Sequence, residues 1–267
     1  MQIRPIPHSD DALLHRCISL AEKGYLDNLI LLGDLFPPCN ALTEVFGVFD
    51  EKKSLLSCFT IFSGFPHPSV VPLAKQPSDV SAYMLQFLQE HLPGYFTIVT
   101  FDIPKTFLSK FFSIKEISIE LCMVLDKTEN LPVCSSPLIK RASSSEEYKR
   151  ISSFYKSINA YPWHPIQLKS GYYHYIELEN KTVVACGGTH LETPKLAHLG
   201  NFFVLPEYRR QGFGKALVSI VSCEILKQKD LATLFVAQWN SVAISLYQKL
   251  GFRKYKPVSI FSLHNIA

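Results

Sequence analysis

The chain has 267 residues, of which 47% are hydrophobic and 19% are charged, so it can bury a core and is not of a disordered class. Its 17 prolines and 12 glycines exclude a collagen-like or low-complexity protein. The formal charge of +4 is uneven: residues 1–136 hold 10 Lys and Arg against 15 Asp and Glu, and residues 137–267 hold 17 against 8. The second half therefore favours an anionic ligand. No block of five like charges is present, so we predict no nucleic-acid partner.

Apolar runs and cysteines indicate the cellular location of the protein and the state of its thiols. No apolar run reaches the roughly 18–20 residues of a membrane span, and the first residues lack the apolar stretch of a secretory signal. The seven cysteines are scattered and never form C-x-x-C, which argues against a disulfide framework and against a zinc site. We therefore predict a cytoplasmic protein with no membrane contact, reduced cysteines and no metal, while the sequence does not indicate an oligomeric state.

The first half of the chain mixes helices and strands. Apolar spacing predicts helices over 10–32 and 78–92, a hairpin of 46–50 with 54–62, a strand at 95–101, a short helix at 105–112 and a strand at 117–125. A polar stretch with two prolines, residues 126–137, follows and predicts a domain boundary. We therefore divide the chain into domains 1–130 and 137–267.

The second half also mixes α and β structure. We predict a strand at 138–141 and a helix over 143–158, which opens with the Ser and Glu spacing of a capping box. Three strands lie within 171–180, 181–192 and 195–206, and short polar turns between them predict an antiparallel meander. A helix over 210–229, a strand at 231–237, a helix at 241–250 and a strand over 252–263 complete the chain.

The chemically informative segment joins the third meander strand to the next helix. Gly212 and Gly214 stand where that helix begins, so a ligand can approach the backbone closely at the unpaired first-turn amides. Arg209, Arg210 and Lys215 add positive charge, which together with the helix dipole favours a diphosphate. Neither a Walker loop nor a dinucleotide fingerprint fits, because Arg209 occupies a position where a Walker loop needs glycine and a leucine stands in place of the fingerprint's third glycine.

The pattern that fits is Arg or Gln, two residues, Gly, one residue, Gly or Ala. With it the segment resembles the acyl-CoA signature of the GCN5-related N-acetyltransferases (GNAT). A second element, residues 235–255 with Asn240, Tyr247 and Gly251-Phe252, is similar to the second signature of that family. The resemblance covers roughly 138–267. It implies a mixed α/β GNAT fold with a central, mostly antiparallel sheet in the second half.

The resemblance also implies acetyl-CoA as co-substrate, held without a metal. In this family the strand that ends at Val204 would splay from the next, so that the pantetheine chain binds its free backbone groups. The residues it implies for acetyl-CoA binding are Phe202, Phe203, Val204, Arg209, Arg210, Gln211, Gly212, Phe213, Gly214, Lys215 and Asn240.

The implied reaction is direct attack by a primary amine on the acetyl carbonyl. The resemblance makes Tyr247 the candidate acid for the departing thiolate, with an aromatic core residue as the alternative. Some members carry a glutamate five residues before the asparagine, but Phe235 stands there. Others carry one at the position of His198, which becomes the candidate base, with a purely structural strand histidine as the alternative. Glu192, His190, Glu177 or a water relay are further options.

The first half resembles the same fold in degenerate form, without the glycine signature. This tandem arrangement is similar to the glycine N-acyltransferase-like branch, and such a domain would line the acceptor side or brace the active one. The leading function is an acyl-CoA-dependent N-acetyltransferase. The rivals are a CoA-binding regulatory module without turnover and an interaction protein that binds no CoA. The acceptor and the acyl length are not encoded in a readable motif.

Overall fold

The computed structural model of the chain describes residues 1–127, 138–170 and 172–265. The chain divides into two compact units. Unit 1 contains Met1–Glu120 and Lys256–Ala267, and unit 2 contains Leu121–Tyr255. Most of the predicted domain boundary, residues 128–137 with Cys134, lies outside the described residues.

The first half of the chain supplies most of unit 1. Its elements are strand β1 (Gln2–Ile6), helices α1 (Asp11–Glu22) and α2 (Leu29–Leu35), strands β2 (Thr43–Phe49), β3 (Leu55–Phe62) and β4 (Ser69–Pro72), helix α3 (Ser78–His91), strand β5 (Gly94–Thr100), helix α4 (Lys105–Leu108) and strand β6 (Ser113–Asp126). Strands β1 to β4 pair antiparallel in chain order, and β4 pairs parallel with β5.

The second half supplies most of unit 2. Its elements are strand β7 (Ile139–Arg141), helix α5 (Ser145–Ser157), a 3-10 helix (Pro165–Ser170), strands β8 (His174–Glu177), β9 (Val183–Glu192) and β10 (Leu196–Val204), helix α6 (Phe213–Leu226), strand β11 (Leu231–Ala237), helix α7 (Ser241–Lys249) and strand β12 (Arg253–Asn265). Strands β7 to β10 pair antiparallel, which confirms the predicted meander, and β10 pairs parallel with β11.

The two halves repeat one order of elements. Each runs strand, helix, three strands, helix, strand, helix, strand, and α2 is an additional helix of the first half. In each half a 14-residue helix, α3 or α6, connects the two strands of a parallel pair. This internal repeat agrees with the predicted tandem fold.

The two units differ from the predicted division at both ends of unit 2. The last strand groups with unit 1 because Ser259–Asn265 of β12 pairs antiparallel with all of β5. Leu121, Met123 and Leu125 of β6 group with unit 2 because they pack in its core. The predicted division at the linker places β6 wholly in the first domain and β12 wholly in the second. In the structure each of these two strands is divided between the two units.

Two predicted helices of the first half are wrong in detail, and two of its strands are not predicted. The predicted helix over 10–32 is broken into α1 and α2, because the Asn28 amide donates to the carbonyl groups of Ala21 and Gly24 at 3.0 and 3.1 Å and holds a turn there. Strands β1 and β4 were not predicted, since each is short and contains proline. The predicted helix at 105–112 is the single turn α4.

Helix α6 is fixed by the apolar stripe that its sequence predicts. Leu217, Val221 and Ile225 are fully buried, and Val218 and Leu226 extend the stripe. At about 1.5–3 kcal/mol for each buried aliphatic side chain, this face holds the helix on the sheet and thereby fixes where its first turn lies. No helix in the described ranges is long and apolar enough to cross a membrane.

The start of α5 gives a first test of local stability. As predicted, Ser144 and Glu147 form a capping box: the Glu147 amide donates to the Ser144 hydroxyl at 3.3 Å, and the Ser144 amide donates to the Glu147 carboxylate at 2.9 Å. A bond from the Ser143 amide, followed by one from the Tyr175 hydroxyl, lowers the pKa of Glu147 to about 2.

Ser144→Ala should therefore lower the free energy of unfolding by about 1 kcal/mol, because a helix amide loses its acceptor. The stability that the ionised Glu147 contributes should be complete above pH ~4.5 and lost as the pH falls towards 2, since its folded pKa is depressed. Urea unfolding at pH 7 and pH 3 measures both effects, with Ser145→Ala as the control. Equal midpoints for the two variants at pH 7 would contradict the prediction.

Candidate functional site

Strands β10 and β11 form a fork in unit 2. Their parallel pairing runs from Leu196 opposite Leu231 to Leu199 opposite Leu234. Beyond that point β10 continues to Val204 and β11 to Ala237, and no further pair joins them within the described part of the chain. One edge of β10 therefore offers backbone amides and carbonyls to a ligand between the two strands.

A bulge in β10 opens this fork. The register with β9 shifts between His198 and Leu199 and again between Gly200 and Phe203. Between these pairs Asn201 takes a left-handed φ of 61°, which Asn tolerates better than most residues. A bulge bends its strand and increases the local twist, so β10 turns away from β11 where this residue stands.

Hydrogen bonds hold Asn201 in that conformation. Its backbone carbonyl accepts from the Tyr155 hydroxyl at 2.7 Å. Its side-chain nitrogen donates to the side-chain oxygen of Gln167 and to the Tyr173 hydroxyl, each at 3.0 Å. Tyr155, Tyr173 and Gln167 are all buried. Bonds to three buried side chains rigidify the strand that forms one side of the fork.

Residues 202–204, the predicted pantetheine strand, are half-buried. Phe203 and Val204 pair with Cys186 and Ala185 of β9, so the other edge of the strand faces the fork. Arg209 closes the end of this segment: its Nε donates to the Val204 carbonyl at 3.1 Å, and its guanidinium lies 5.7 Å from the centre of the Phe203 ring. The structure therefore gives Arg209 a bond to β10 in addition to its predicted phosphate contact.

The turn before α6 leaves the start of that helix open. Arg210 and Gly212 have left-handed φ values of 64° and 84°, and Gly212 is the N-cap residue with no side chain bonded to the first turn. Nothing lies within 4 Å of where a Gly212 Cβ would stand. Arg210, Gln211, Gly212 and Lys215 are exposed, and Phe213 and Gly214 are half-buried. Orphan amides, a positive dipole end and two cations together suit an anion.

A groove adjoins this helix start. It has a volume of about 470 Å³ and is lined by Lys215 of α6 and by Ser241, Val242, Ser245, Leu246 and Lys249. Val242 in this lining is 71% exposed, and Trp239, just before α7, is 84% exposed, which is unusual for large apolar side chains. The groove therefore combines an apolar floor with two lysines, a surface that suits a planar ring carrying phosphate.

Helix α7 carries the other two predicted residues of this side. Asn240 is its N-cap, and the Asn240 side-chain oxygen accepts from the Ala243 amide at 3.1 Å. Tyr247 lies two turns further along, with its ring 5.9 Å from that of Phe252. Desolvation by the surrounding side chains raises the pKa of Tyr247 to about 12, so the phenol keeps its proton at neutral pH.

His198 lies at the closed end of the fork. It is buried, its Nδ1 lies 2.9 Å from the Thr233 hydroxyl, and its ring packs 4.4 Å from the Phe235 ring. Burial, and then repulsion from His190, lowers the pKa of His198 well below 6.5. The imidazole is therefore neutral at pH 7 and carries one lone pair, but its protonated form is strongly disfavoured.

The alternative bases are engaged elsewhere. Glu177 is held in ion pairs by Lys140 at 2.6 Å and Arg150 at 3.5 Å, and Glu192 lies 3.6 Å from Lys229. Burial lowers the pKa of His190 to about 4. Cys186 is buried and burial raises the pKa of its thiol to about 12, which leaves it protonated. None of the described His, Cys, Asp and Glu residues form a cluster of three that could hold a metal ion.

Three residues at the fork escaped the sequence prediction: Gln167, Asn201 and Thr233. Asn201 and Thr233 are ordinary polar residues in predicted strands, and Gln167 lies in a 3-10 helix that the sequence does not predict. Only the fold brings the three to His190, β10 and His198. The sole sequence signal was an asparagine inside an apolar strand, which is depleted there and suggests a bulge.

The comparison with solved structures defines the class of fold. A tandem GNAT protein from the clavulanic acid biosynthesis pathway is 14% identical with a TM-score of 0.64, and the match covers 98% of this chain and 97% of that one. A Drosophila protein is 16% identical with a TM-score of 0.68, and the match covers 99% of both chains. The predicted mixed α/β class and tandem GNAT fold are therefore confirmed.

The comparison with families and curated proteins adds the assignment of unit 2. Residues 139–252 match the family model described as the acetyltransferase (GNAT) family. The ribosomal protein bS18 alanine N-acetyltransferase of Escherichia coli K12 is 43% identical over 60 residues, which are 22% of this chain. The matched segment spans 40% of the length of that relative.

Proposed function

We propose that the protein is an acetyl-CoA-dependent N-acetyltransferase that acts on a primary amine. The observation that carries the proposal is the fork between β10 and β11, which leads directly to the open start of α6. A pantetheine chain in the fork would pair with residues 202–204, and the diphosphate would then reach the amides and cations of residues 210–215. The match of residues 139–252 to the GNAT family model supports this assignment.

The groove beside α6 supports the nucleotide end of the same ligand. It begins at Lys215, the last residue of the proposed diphosphate seat, and its second lysine is Lys249. The groove, of about 470 Å³, has room for an adenine ring on the apolar floor and a phosphate near the lysines. The ligand would thus lie in three connected places: the fork, the helix start and the groove.

The proposed reaction transfers the acetyl group in one step. The amine nitrogen forms a bond to the acetyl carbonyl, the carbon–sulfur bond breaks, the amine loses a proton and the CoA thiolate gains one. Tyr247 is the proposed donor to the thiolate, because its phenol is protonated across the physiological range. His198 is the proposed acceptor of the amine proton, because it is neutral and lies at the end of the fork.

The turn before α3, the equivalent helix of unit 1, contains no glycine. In the turn before α3 the Ala74 amide donates to the Asn28 side chain at 2.7 Å, and the Lys75 amide donates to the Asp102 carboxylate. These two amides of the turn are therefore bound by the chain's own side chains. We infer one acetyl-CoA per chain, which calorimetry measures directly as the stoichiometry.

Two measurements on the purified protein test the proposed function. Titration with acetyl-CoA should give saturable heat, and addition of an amine panel should release CoA thiol, which a disulfide reagent detects. The leading rival is a CoA-binding regulatory module, favoured by the phenylalanine at position 235 where some relatives carry a glutamate. Binding without thiol release for any amine would favour that rival, and no binding at all would favour an interaction protein.

The role of His198 gives a separate prediction. His198→Ala should lower kcat by about 100-fold, because the proton acceptor is lost, while the Kd of acetyl-CoA changes less than twofold. In the wild type the acid limb of the kcat profile should lie well below pH 6.5, since burial lowers the pKa of this imidazole. His91→Ala in unit 1 is the control. Near-normal turnover of His198→Ala would reject the assignment.

A further inference from the structure

Gln167 is a buried side chain whose three polar contacts all lie beside the fork. It belongs to the 3-10 helix Pro165–Ser170 and is 1% exposed. Its carbonyl oxygen accepts from the His164 backbone amide at 3.3 Å and from the Asn201 side-chain amide at 3.0 Å. Its amide nitrogen lies 3.0 Å from Nδ1 of His190. Both the oxygen and the nitrogen of this side-chain amide therefore have hydrogen-bond partners.

These contacts fix the direction of each bond. A backbone N–H can only donate, so the Gln167 atom that faces His164 must be the carbonyl oxygen. The atom that faces His190 is then the NH2 group, which also can only donate. Nδ1 of His190 must accept this bond and carries no proton, so the one proton of the neutral ring lies on Nε2.

The surroundings of His190 favour the same neutral form. Its ring lies 6.2 Å from that of His198. Gly200 lies against its other side, where an added Cβ would stand 3.1 Å from the His190 Cβ. Across the fork, β11 presents Thr233 and Phe235, which are uncharged. The carboxylate on the same strand, Glu192, is paired with Lys229. Burial lowers the pKa of His190 to about 4, in agreement with a ring that stays neutral.

We propose that Gln167 is a positioning residue for acetyl transfer: it holds His190 in the neutral tautomer protonated on Nε2, so that His190 cannot take the amine proton. This inference rests on the proposed function of the fork. It assigns the two histidines different tasks, because His190 has no lone pair left for a proton while His198 keeps the role of proton acceptor. The same glutamine ties His190 to the bulge, through Asn201, so ring and strand are aligned together.

Nitrogen-15 NMR of the wild-type protein tests the tautomer without any need for activity. Histidine-labelled protein is recorded from pH 5 to pH 8, and the His190 signals are assigned by their loss in His190→Asn. We expect Nδ1 without a proton and Nε2 with one at pH 7, and no conversion to the charged ring down to pH ~5. A proton on Nδ1, or a charged ring at pH 7, would overturn the proposal.

Gln167→Glu tests the positioning role. A carboxylate can only accept, so it would demand a proton on Nδ1 and would favour the charged ring. We expect kcat to fall by about 10-fold or more, as for other groups that orient a functional side chain. The variant should also show an acid-dependent NMR change that the wild type lacks. The Kd of acetyl-CoA should change less than twofold, because Gln167 does not contact the proposed ligand seat.

Gln228→Glu introduces the same charge at a glutamine that bonds to Tyr172 and serves as the control. If Gln167→Glu fails to fold, Gln167→Leu replaces it, and there His190 should populate both neutral tautomers. Full kcat of a folded Gln167 variant at every pH would reject the positioning role. By contrast, wild-type protein that neither binds acetyl-CoA nor releases thiol would reject the proposed function, and the NMR result would still decide the tautomer.

Discussion

Gly212→Asp should weaken acetyl-CoA binding by at least ~100-fold while the protein stays folded. The residue is the N-cap of α6, it has a φ of 84°, and a new Cβ meets nothing within 4 Å. Asp tolerates this conformation better than most residues, so the fold should accept it. Its carboxylate would stand at the helix start, where two charges about 4 Å apart interact by roughly 4 kcal/mol at an effective dielectric constant near 20. Repulsion of the diphosphate therefore exceeds the ~2.7 kcal/mol that a 100-fold change in Kd requires.

Unit 1 contains a matched control for this variant. Gly94 has a φ of 80°, and a Cβ there also meets nothing within 4 Å. Gly94→Asp therefore carries the same backbone strain and the same charge, but it lies at the start of β5 and not at a helix start. Calorimetry with acetyl-CoA should show normal affinity for Gly94→Asp, and thermal unfolding should show similar losses for both. Equal affinity of the two variants would place the diphosphate elsewhere.

The parts of the fold that follow from sequence are those set by local pattern. The stripe of Leu217, Val221 and Ile225 predicts α6, and the serine and glutamate spacing predicts the cap of α5, because both signals lie within a few turns of chain. The fork is different. Its opening depends on a bulge at Asn201 that is held by tyrosines 46 and 28 residues away in the chain. No periodicity records such contacts.

The exchange of final strands escaped prediction for a similar reason. The sequence of β12 predicts a strand, and that strand is present. One of the strands with which it pairs is β5, more than 150 residues earlier, and there Phe261 and Leu263 enter the core of unit 1. Both β5 and β11 are apolar strands with which such a strand could pair, so the local sequence pattern of β12 does not predict its partner. The family resemblance predicts the fold and the segment in which α6 begins. The pairing of β12 with β5 is known only from the structure.

Tyr247→Phe should lower kcat by about 100-fold or more, with the Kd of acetyl-CoA unchanged within twofold. General acid catalysis contributes about 10²–10⁴-fold, and the substitution removes only the hydroxyl that would donate to the thiolate. The ring itself packs beside Phe252, so a phenylalanine keeps the packing of α7. The departing thiolate would then have to take its proton from water.

The pH profile separates this role from others. Burial raises the pKa of Tyr247 to about 12, so loss of the phenol proton, and with it loss of activity, should begin only above pH ~11. Any alkaline limb at lower pH in the wild type must therefore belong to another group, and it should persist in Tyr247→Phe. Tyr83→Phe removes a hydroxyl that donates to the Met1 carbonyl in unit 1 and should leave kcat unaltered. A Tyr247→Phe enzyme with wild-type kcat would exclude the phenol as the donor and leave water as the acid. A wild-type limb near pH 9 that vanishes in this variant would instead contradict the raised pKa of Tyr247.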